Sequence, residues 1–138
     1  MIIGSVFETL NQVIAQLRRL PDVLAVVIAR RDGVVIAYNL SKRSDPRKVA
    51  AMAAAIVGTS EAAVGELGQG NFKEVMVESE VGRVLGLGAG EEAILIALVR
   101  RDANVGLVLL NMEKCAAQIE EVLHTQDGEE MLLTVSGR

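Results

Sequence analysis

The residue types most often used for catalysis and metal binding are scarce in this chain. It contains one cysteine, Cys115, and one histidine, His124. One cysteine cannot form an internal disulfide or supply a cysteine-rich zinc site, and one histidine makes a histidine-based metal site or a Ser-His-Asp triad hard to build. Cys115 lies on the apolar side of a predicted helix, as a core thiol does, and His124 falls at the end of that helix, where a cation interacts favourably with the helix dipole. We therefore predict neither catalytic residues nor a bound metal.

A run of glycines, Gly82, Gly86, Gly88 and Gly90, resembles the beginning of a phosphate-binding loop. Gly86-Leu87-Gly88 starts as a G-x-G motif, but Glu91 stands where a third glycine is needed. No Lys-Ser or Lys-Thr pair follows, no helix is predicted to start there, and the carboxylates of Glu91 and Glu92 would repel a phosphate. We expect these residues to be turn glycines, and we predict no cofactor.

The composition narrows the class of protein further. The 138 residues carry a net charge of −4, which disfavours a duplex nucleic-acid binder because such a protein needs a basic face. No apolar run approaches the roughly 18–20 residues of a membrane span, and the first residues lack the basic region of a signal peptide, so we expect a soluble cytoplasmic protein. Hydrophobic residues make up 51% of the chain and aromatic residues only 2%. This aliphatic excess suggests that some apolar surface is buried between chains.

Hydrophobic periodicity and turn signals predict elements in the order α-β-β-α-β-β-β-α. Asp32-Gly33 between two β-prone runs indicates a hairpin, and Asp45-Pro46 marks the start of a helix. The order predicts an α+β sandwich: a five-stranded, mostly antiparallel sheet with helices on both faces. We expect one domain over residues 1–124 and a tail over 125–138 that is either frayed or an extra strand. The predicted elements are helix 5–20, strands 23–30 and 34–39, helix 45–67, strands 73–79, 83–87 and 93–99, and helix 108–123, with 102–107 fitting either a loop or a helix start.

The helix over residues 45–67 carries two stripes of apolar or small residues. At about 100° per residue, the stripe predicted to face the sheet consists of Val49, Ala53, Ile56, Ser60, Ala63 and Leu67. The stripe nearly opposite consists of Ala51, Ala55, Gly58, Ala62 and Gly65, where a solvent-exposed helix normally carries charged residues. Small residues let another backbone approach closely, so this stripe is predicted to contact a second subunit or a partner. The alternative is that alanine simply forms helix well at exposed positions.

The segment over residues 73–79 is typical of a strand near a sheet edge. The alternation is imperfect, with Glu74 and Glu78 on one parity and Val75 and Val77 on the other. An edge strand displays unpaired N–H and C=O groups and can pair with another chain, or its charges can protect it from such pairing. We include Val75, Met76 and Val77 in the predicted interface.

Several segments, taken in this order, resemble one known family. Leu17-Arg18-Arg19-Leu20-Pro21-Asp22-Val23 leads into Ala25-Val26-Val27-Ile28-Ala29-Arg30-Arg31-Asp32-Gly33; the alanine-rich helix and a β-meander follow, and Asn104-Val105-Gly106-Leu107-Val108 precedes the last helix. This arrangement, over about residues 5–124, resembles the Roadblock family of dynein-light-chain-related proteins, including bacterial polarity regulators of the MglB type. The resemblance implies a Roadblock/profilin-like fold and a homodimer in which the central helices and third strands of two subunits meet. It also implies a partner, a small Ras-like GTPase whose nucleotide state such dimers regulate.

We therefore predict a non-enzymatic homodimeric regulator or scaffold that binds a small Ras-like GTPase. Two alternatives stay open: a dimeric scaffold of another cytoplasmic complex, and a small-ligand sensor. The sensor is disfavoured because few aromatic or polar groups are present to orient a buried ligand. Arg30, Arg31 and Arg43 could serve as arginine fingers, but we expect them to be solvated surface arginines.

Overall fold

The computed structural model describes residues 3–135 and shows the predicted elements in the predicted order, followed by one more helix. Residues 1–2 and 136–138, at the ends of the predicted domain and tail, lie outside the described residues. The elements are α1 (Ile3–Arg18), β1 (Val23–Arg30), β2 (Val35–Asn39), α2 (Pro46–Glu66), β3 (Val75–Glu78), β4 (Gly82–Ala89), β5 (Ala93–Arg100), α3 (Val105–Leu123) and α4 (Gln126–Val135).

The strands form one antiparallel sheet in the order β2-β1-β5-β4-β3. The β1–β2 hairpin turns at Gly33, whose φ of 93° is a conformation that residues with side chains rarely adopt. β5 returns to the centre of the sheet, where it pairs with β1 from Val23↔Val99 to Arg30↔Ala93. Within residues 3–135, β3 pairs only with β4, so β2 and β3 are the sheet edges. The predicted five-stranded antiparallel sheet is confirmed.

Helices cover both faces of the sheet, as predicted, but unequally. One face packs against α1, α3 and α4 and forms the larger core, in which Leu10, Leu95 and Ile119 are fully buried. The other face packs only against α2, through a smaller core of Val27, Ile96 and α2 residues. One helix cannot cover a five-stranded sheet, so part of this second face stays open.

The tail forms α4, so the prediction of an extra strand is wrong. The Thr125 hydroxyl accepts a hydrogen bond from the Gly128 N–H at 2.9 Å and caps the helix. Met131 is fully buried and Leu132 nearly so, in the core shared with α1 and α3. The Arg30 guanidinium also donates to the Leu132 carbonyl at 2.7 Å. The apolar run 131–135 looks strand-like in isolation, but its adjacent Met and Leu both reach the core from a helix.

Three of the four glycines predicted to lie in turns, Gly82, Gly86 and Gly88, are inside β4. A Cβ on Gly86 would lie 2.6 Å from Ile96 Cδ1 and 3.1 Å from Val57 Cγ2. A Cβ on Gly88 would lie 2.6 Å from Arg31 Nη2. Gly86 and Gly88 therefore let α2 and one arginine pack close to the sheet. Gly90, with φ of 77°, is a turn glycine as predicted.

Candidate functional site

α2 begins as the sequence predicts but is rotated about its axis. The Asp45 carboxylate accepts a hydrogen bond from the Arg47 N–H at 3.0 Å, and Pro46 is the first helical residue. The buried residues are Ala50, Ala53 and Val57. The predicted sheet-facing stripe is therefore largely wrong: Val49, Ile56 and Ser60 are half-buried, and Ala63 and Leu67 are exposed. The rotation follows from Gly86, because the space above it accepts Val57.

By length and composition α2 could also cross a membrane, and among residues 3–135 it is the one helix that could. A helix packed on the sheet of a globular domain can have the same composition. In this fold Ala50, Ala53 and Val57 are buried against the sheet, and most of the remaining helix surface is exposed.

The predicted stripe of small residues lies on the outer surface of α2. Its five members, Ala51, Ala55, Gly58, Ala62 and Gly65, are all exposed. A Cβ on Gly58 or Gly65 would meet nothing within 4 Å. Ala51 also borders the β1–β2 turn, where its Cα lies 3.1 Å from the position a Cβ on Gly33 would take. The stripe is a smooth surface that a second protein can approach closely.

An apolar groove runs between the other flank of α2 and the sheet. Its volume is about 440 Å³, and Met52 and Ile56 of α2 form one wall, opposite Val84 and Leu98 of the sheet. Leu24, near the start of β1, also lines the groove. Met52 is 57% exposed, Leu24 45% and Leu98 38%. Sequence reasoning missed this groove, because the groove depends on the rotation of α2 and on cross-strand neighbours.

The edge strand β3 continues this apolar surface. Val77 pairs with Val84 on β4, and Val84 pairs with Leu98 on β5, so the three residues form a row across the sheet. Val75 packs against the α2-side core, whereas Met76 is 46% exposed and Val77 42% exposed. The predicted edge position is confirmed. The outer N–H and C=O groups of β3 thus lie beside an exposed apolar surface, a combination that favours strand pairing with another chain.

The three arginines considered as arginine fingers have different surroundings. The Arg31 guanidinium pairs with Glu61 of α2 at 2.5 Å and donates to the Gly90 carbonyl at 2.9 Å. Arg31 therefore joins α2 to two turns. The prediction that it is a solvated surface arginine is wrong. Arg30 is likewise held, by Asp32 at 2.7 Å and by α4. Arg43 is exposed on the loop between β2 and α2.

The lone cysteine and histidine are not brought together. Cys115 is buried against α1, and burial raises the pKa of its thiol, which keeps it protonated and unreactive at neutral pH. His124 is an exposed residue at the C-terminal end of α3. No cluster of three or more His, Cys, Asp or Glu with metal-binding geometry occurs within residues 3–135. The features that stand out are two surfaces suited to contact with another protein, the small-residue stripe of α2 and the groove beside it.

An antiparallel five-stranded sheet with three helices on one face, one helix on the other, and the third strand at an edge defines the class of domain. The chain belongs to the Roadblock/LC7 domain family, whose model matches residues 9–99. The uncharacterized protein MJ1340 of Methanocaldococcus jannaschii is 32% identical over 111 residues, which are 80% of this chain and 96% of that protein.

Solved structures agree with this assignment at the level of the fold. MglB of Myxococcus xanthus superimposes with a TM-score of 0.78 at 17% identity, over 91% of each chain. A Roadblock/LC7 domain from Streptomyces avermitilis superimposes with a TM-score of 0.77 at 22% identity, over 83% of this chain and 97% of that chain. The family predicted from the sequence and the predicted sandwich fold are both confirmed.

Proposed function

We propose that this protein is a homodimeric regulator or scaffold that binds a small Ras-like GTPase and modulates its nucleotide state. The observation that carries the proposal is the apolar surface running from the groove beside α2 to the edge of β3. A monomer would leave Leu24, Met52, Val77 and Leu98 of this surface about half exposed, together with Met76 on the other side of β3. Burying the rest of each side chain contributes about 1 kcal/mol per residue. A second copy covers this surface by pairing β3 with β3 and placing α2 beside α2.

Side-chain alternation restricts how the two β3 strands can pair. Val75 and Val77 lie on the α2 side of the sheet and Met76 on the other side. Facing residues in an antiparallel pair share one side of the sheet. A register centred on Met76 sets Val75 opposite Val77 of the second copy and Met76 opposite Met76, so every apolar residue of the strand has an apolar neighbour. It also sets Glu74 opposite Glu78 of the second copy. The negative charge of Glu78 is offset by Arg83, whose Nε lies 3.1 Å from the Glu78 carboxylate of the same chain.

The small-residue stripe on the outer face of α2 is then left for the partner. Ala55, Gly58 and Ala62 project little from the helix, so the switch regions of a GTPase can lie close to its backbone. The chain's part is to select a conformation of the GTPase through surface complementarity, since a ligand shifts an equilibrium only by binding one state better. Arg31 is already held by Glu61 and Gly90, which supports a role in the fold.

Disulfide trapping tests the proposed dimer and its register. In the Met76→Cys variant two thiols face each other across the strand pair, so mild oxidation is expected to give a covalent dimer. The matched control is Glu78→Cys, on the same side of the sheet, where the two thiols would be four residues apart and beyond disulfide reach. Crosslinking of the control but not of Met76→Cys contradicts the register, and crosslinking of neither contradicts the β3 interface.

A charge placed in the groove tests the apolar surface. The Met52→Glu change puts a carboxylate where the second copy packs, and an unpaired charge in an apolar interface costs several kcal/mol. The dissociation constant of the dimer is expected to rise by about a hundredfold or more, as measured by sedimentation velocity. Leu110→Glu is the control, because Leu110 is 50% exposed on α3, on the opposite face of the sheet. Equal effects of the two changes contradict the interface.

Binding of a nucleotide-loaded GTPase tests the regulatory part of the proposal. The small Ras-like GTPases of the organism that encodes this chain would be loaded with GDP or with a non-hydrolysable GTP analogue and titrated calorimetrically. We expect at least one to bind with an affinity that depends on its nucleotide, and an Ala62→Arg variant that still dimerises to bind more weakly. Binding by none of them favours the alternative of a scaffold without a GTPase.

A further inference from the structure

Charges are segregated along α2 and the loop that precedes it. The loop and the first turn of α2 carry Lys42, Arg43, Arg47 and Lys48, with Asp45 as the acidic residue among them. The later turns of α2 carry Glu61 and Glu66 and no basic residue. A chain with net charge −4 thus has a distinctly basic region where α2 begins.

This basic region consists of the loop between β2 and α2 and the first turn of α2. We call Lys42, Arg43, Arg47 and Lys48 the basic patch; all four are exposed. Within residues 3–135 their side chains form no ion pair, whereas those of Arg83 and Arg100 do. Asp45, the acidic residue among them, is occupied in capping α2. The basic patch is therefore uncompensated.

The position of the basic patch is unfavourable for the helix itself. Arg47 and Lys48 lie in the first turn of α2, which holds no acidic residue. Cations at a helix N-terminus oppose the helix dipole and lower stability, whereas a carboxylate there raises it. Residues that destabilise the element in which they lie are expected where the surface of that element serves a function. The patch also adjoins the groove that the second copy is proposed to cover, because Leu40, Ser41 and Ser44 of the same loop line that groove.

We propose that the basic patch receives an acidic surface of the GTPase partner; this inference rests on the function proposed above. Lys48 precedes Ala51 and Ala55 at helical spacing, so it extends the small-residue stripe toward the loop. A partner with an acidic surface beside its switch regions is attracted to the start of α2 and repelled by Glu61 and Glu66 in the later turns of the helix. The charge segregation therefore orients the partner on α2 and raises its association rate.

Charge reversal at Lys48 tests the patch without endangering the fold. Lys48→Glu puts a carboxylate three residues after the Asp45 cap, a capping-box arrangement that favours the helix, so the melting temperature is expected not to fall. The control is Lys114→Glu, the same change of charge on an exposed position of α3, on the other face of the sheet. For whichever GTPase binds the wild type, Lys48→Glu is expected to weaken binding at least about fivefold and to reduce its salt dependence, whereas Lys114→Glu leaves binding within about twofold.

The outcomes separate this inference from the proposed function. Wild-type binding that responds equally to Lys48→Glu and Lys114→Glu, or not at all to salt, overturns the patch and leaves the GTPase proposal standing. Absence of binding by every GTPase overturns both. Vesicles of phosphatidylcholine with phosphatidylserine form a third arm: sedimentation of the wild type, but not of Lys48→Glu, with these vesicles and not with pure phosphatidylcholine would assign the patch to an anionic membrane and overturn an acidic protein partner.

Discussion

Gly128 fixes α4 against the end of α3, and adding one methyl group there should displace the helix. Gly128 is buried near the start of α4. A Cβ at this position would lie 2.7 Å from Leu123 Cα and 2.9 Å from the Leu123 carbonyl carbon, and it would also press on the Val122 carbonyl oxygen. All these atoms belong to the backbone, so no change of side-chain rotamer relieves the contact. In Gly128→Ala, α4 must shift or detach.

The docking of α4 sets an upper limit on the resulting loss of stability. The helix is anchored by Met131 and Leu132, and burying one such side chain contributes about 1.5–3 kcal/mol. Detachment therefore costs at most about 3–6 kcal/mol, while a helix that shifts and stays docked loses about 1–3 kcal/mol, as overpacked cores do. Alanine favours helix over glycine by up to about 1 kcal/mol. We expect the free energy of unfolding of Gly128→Ala to fall by about 2 kcal/mol.

Urea denaturation at one fixed protomer concentration measures this change, because dimer formation makes stability depend on concentration. Hydrogen exchange shows which part of the chain is destabilised. The amides of α4 should lose protection from exchange, while those of β5 keep it. Gly106→Ala is the matched control, since its Cβ would meet only Asn104 Oδ1 at 3.7 Å and the residue is helical. That control should gain up to about 1 kcal/mol. A Gly128→Ala protein as stable as the wild type, with α4 still protected, would refute the reasoning.

Further predictions concern three individual residues, Gly58, Arg31 and Cys115. Gly58→Ala should raise the free energy of unfolding by about 1 kcal/mol in urea denaturation, because the position is helical and open; a decrease would show that the site is not open. Arg31→Ala should lower stability by about 1 kcal/mol, since its partner Glu61 is partly exposed, and should leave GTP turnover of a bound GTPase unchanged; a large loss of turnover with intact binding would identify an arginine finger. Burial raises the pKa of the Cys115 thiol, so at neutral pH a disulfide reagent should label it slowly in the folded protein and quickly in urea. The unfolded chain loses the thiol proton at a lower pH than the folded protein does. The free energy of unfolding should therefore also fall as the pH rises past the ordinary pKa of a thiol. Rapid labelling of the native protein would contradict both expectations.

Much of the fold could be predicted because local signals and tertiary packing agree. Asp32-Gly33 specifies the β1–β2 hairpin, and Asp45-Pro46 starts α2 as observed. The rotation of α2 could not be predicted from helical periodicity, because both sides of the helix are apolar. It is set by the missing side chain of Gly86, which lies opposite Val57 and far from it in sequence. α4 was missed because a short run of apolar residues fits a strand as well as a helix.

The candidate binding surface could likewise be predicted only in part from the sequence. The small-residue stripe and the edge position of β3 could be found from residue types alone. The groove could not be predicted in this way, because Val84 and Leu98 become neighbours only across paired strands and Met52 lines the same groove only once α2 is packed on the sheet. Arg31 looked like an ordinary surface arginine, since its contacts with Glu61 and Gly90 come from segments distant in sequence.

The mass of the protein in solution, alone and with a GTPase, tests the central claim most directly. Sedimentation velocity at micromolar concentration should give twice the chain mass of 14.7 kDa, and a GTPase carrying a non-hydrolysable GTP analogue should sediment with the dimer as one heavier species. A single-chain mass would contradict the dimer. A dimer that leaves every GTPase of its organism unbound in both nucleotide states would contradict the regulatory function.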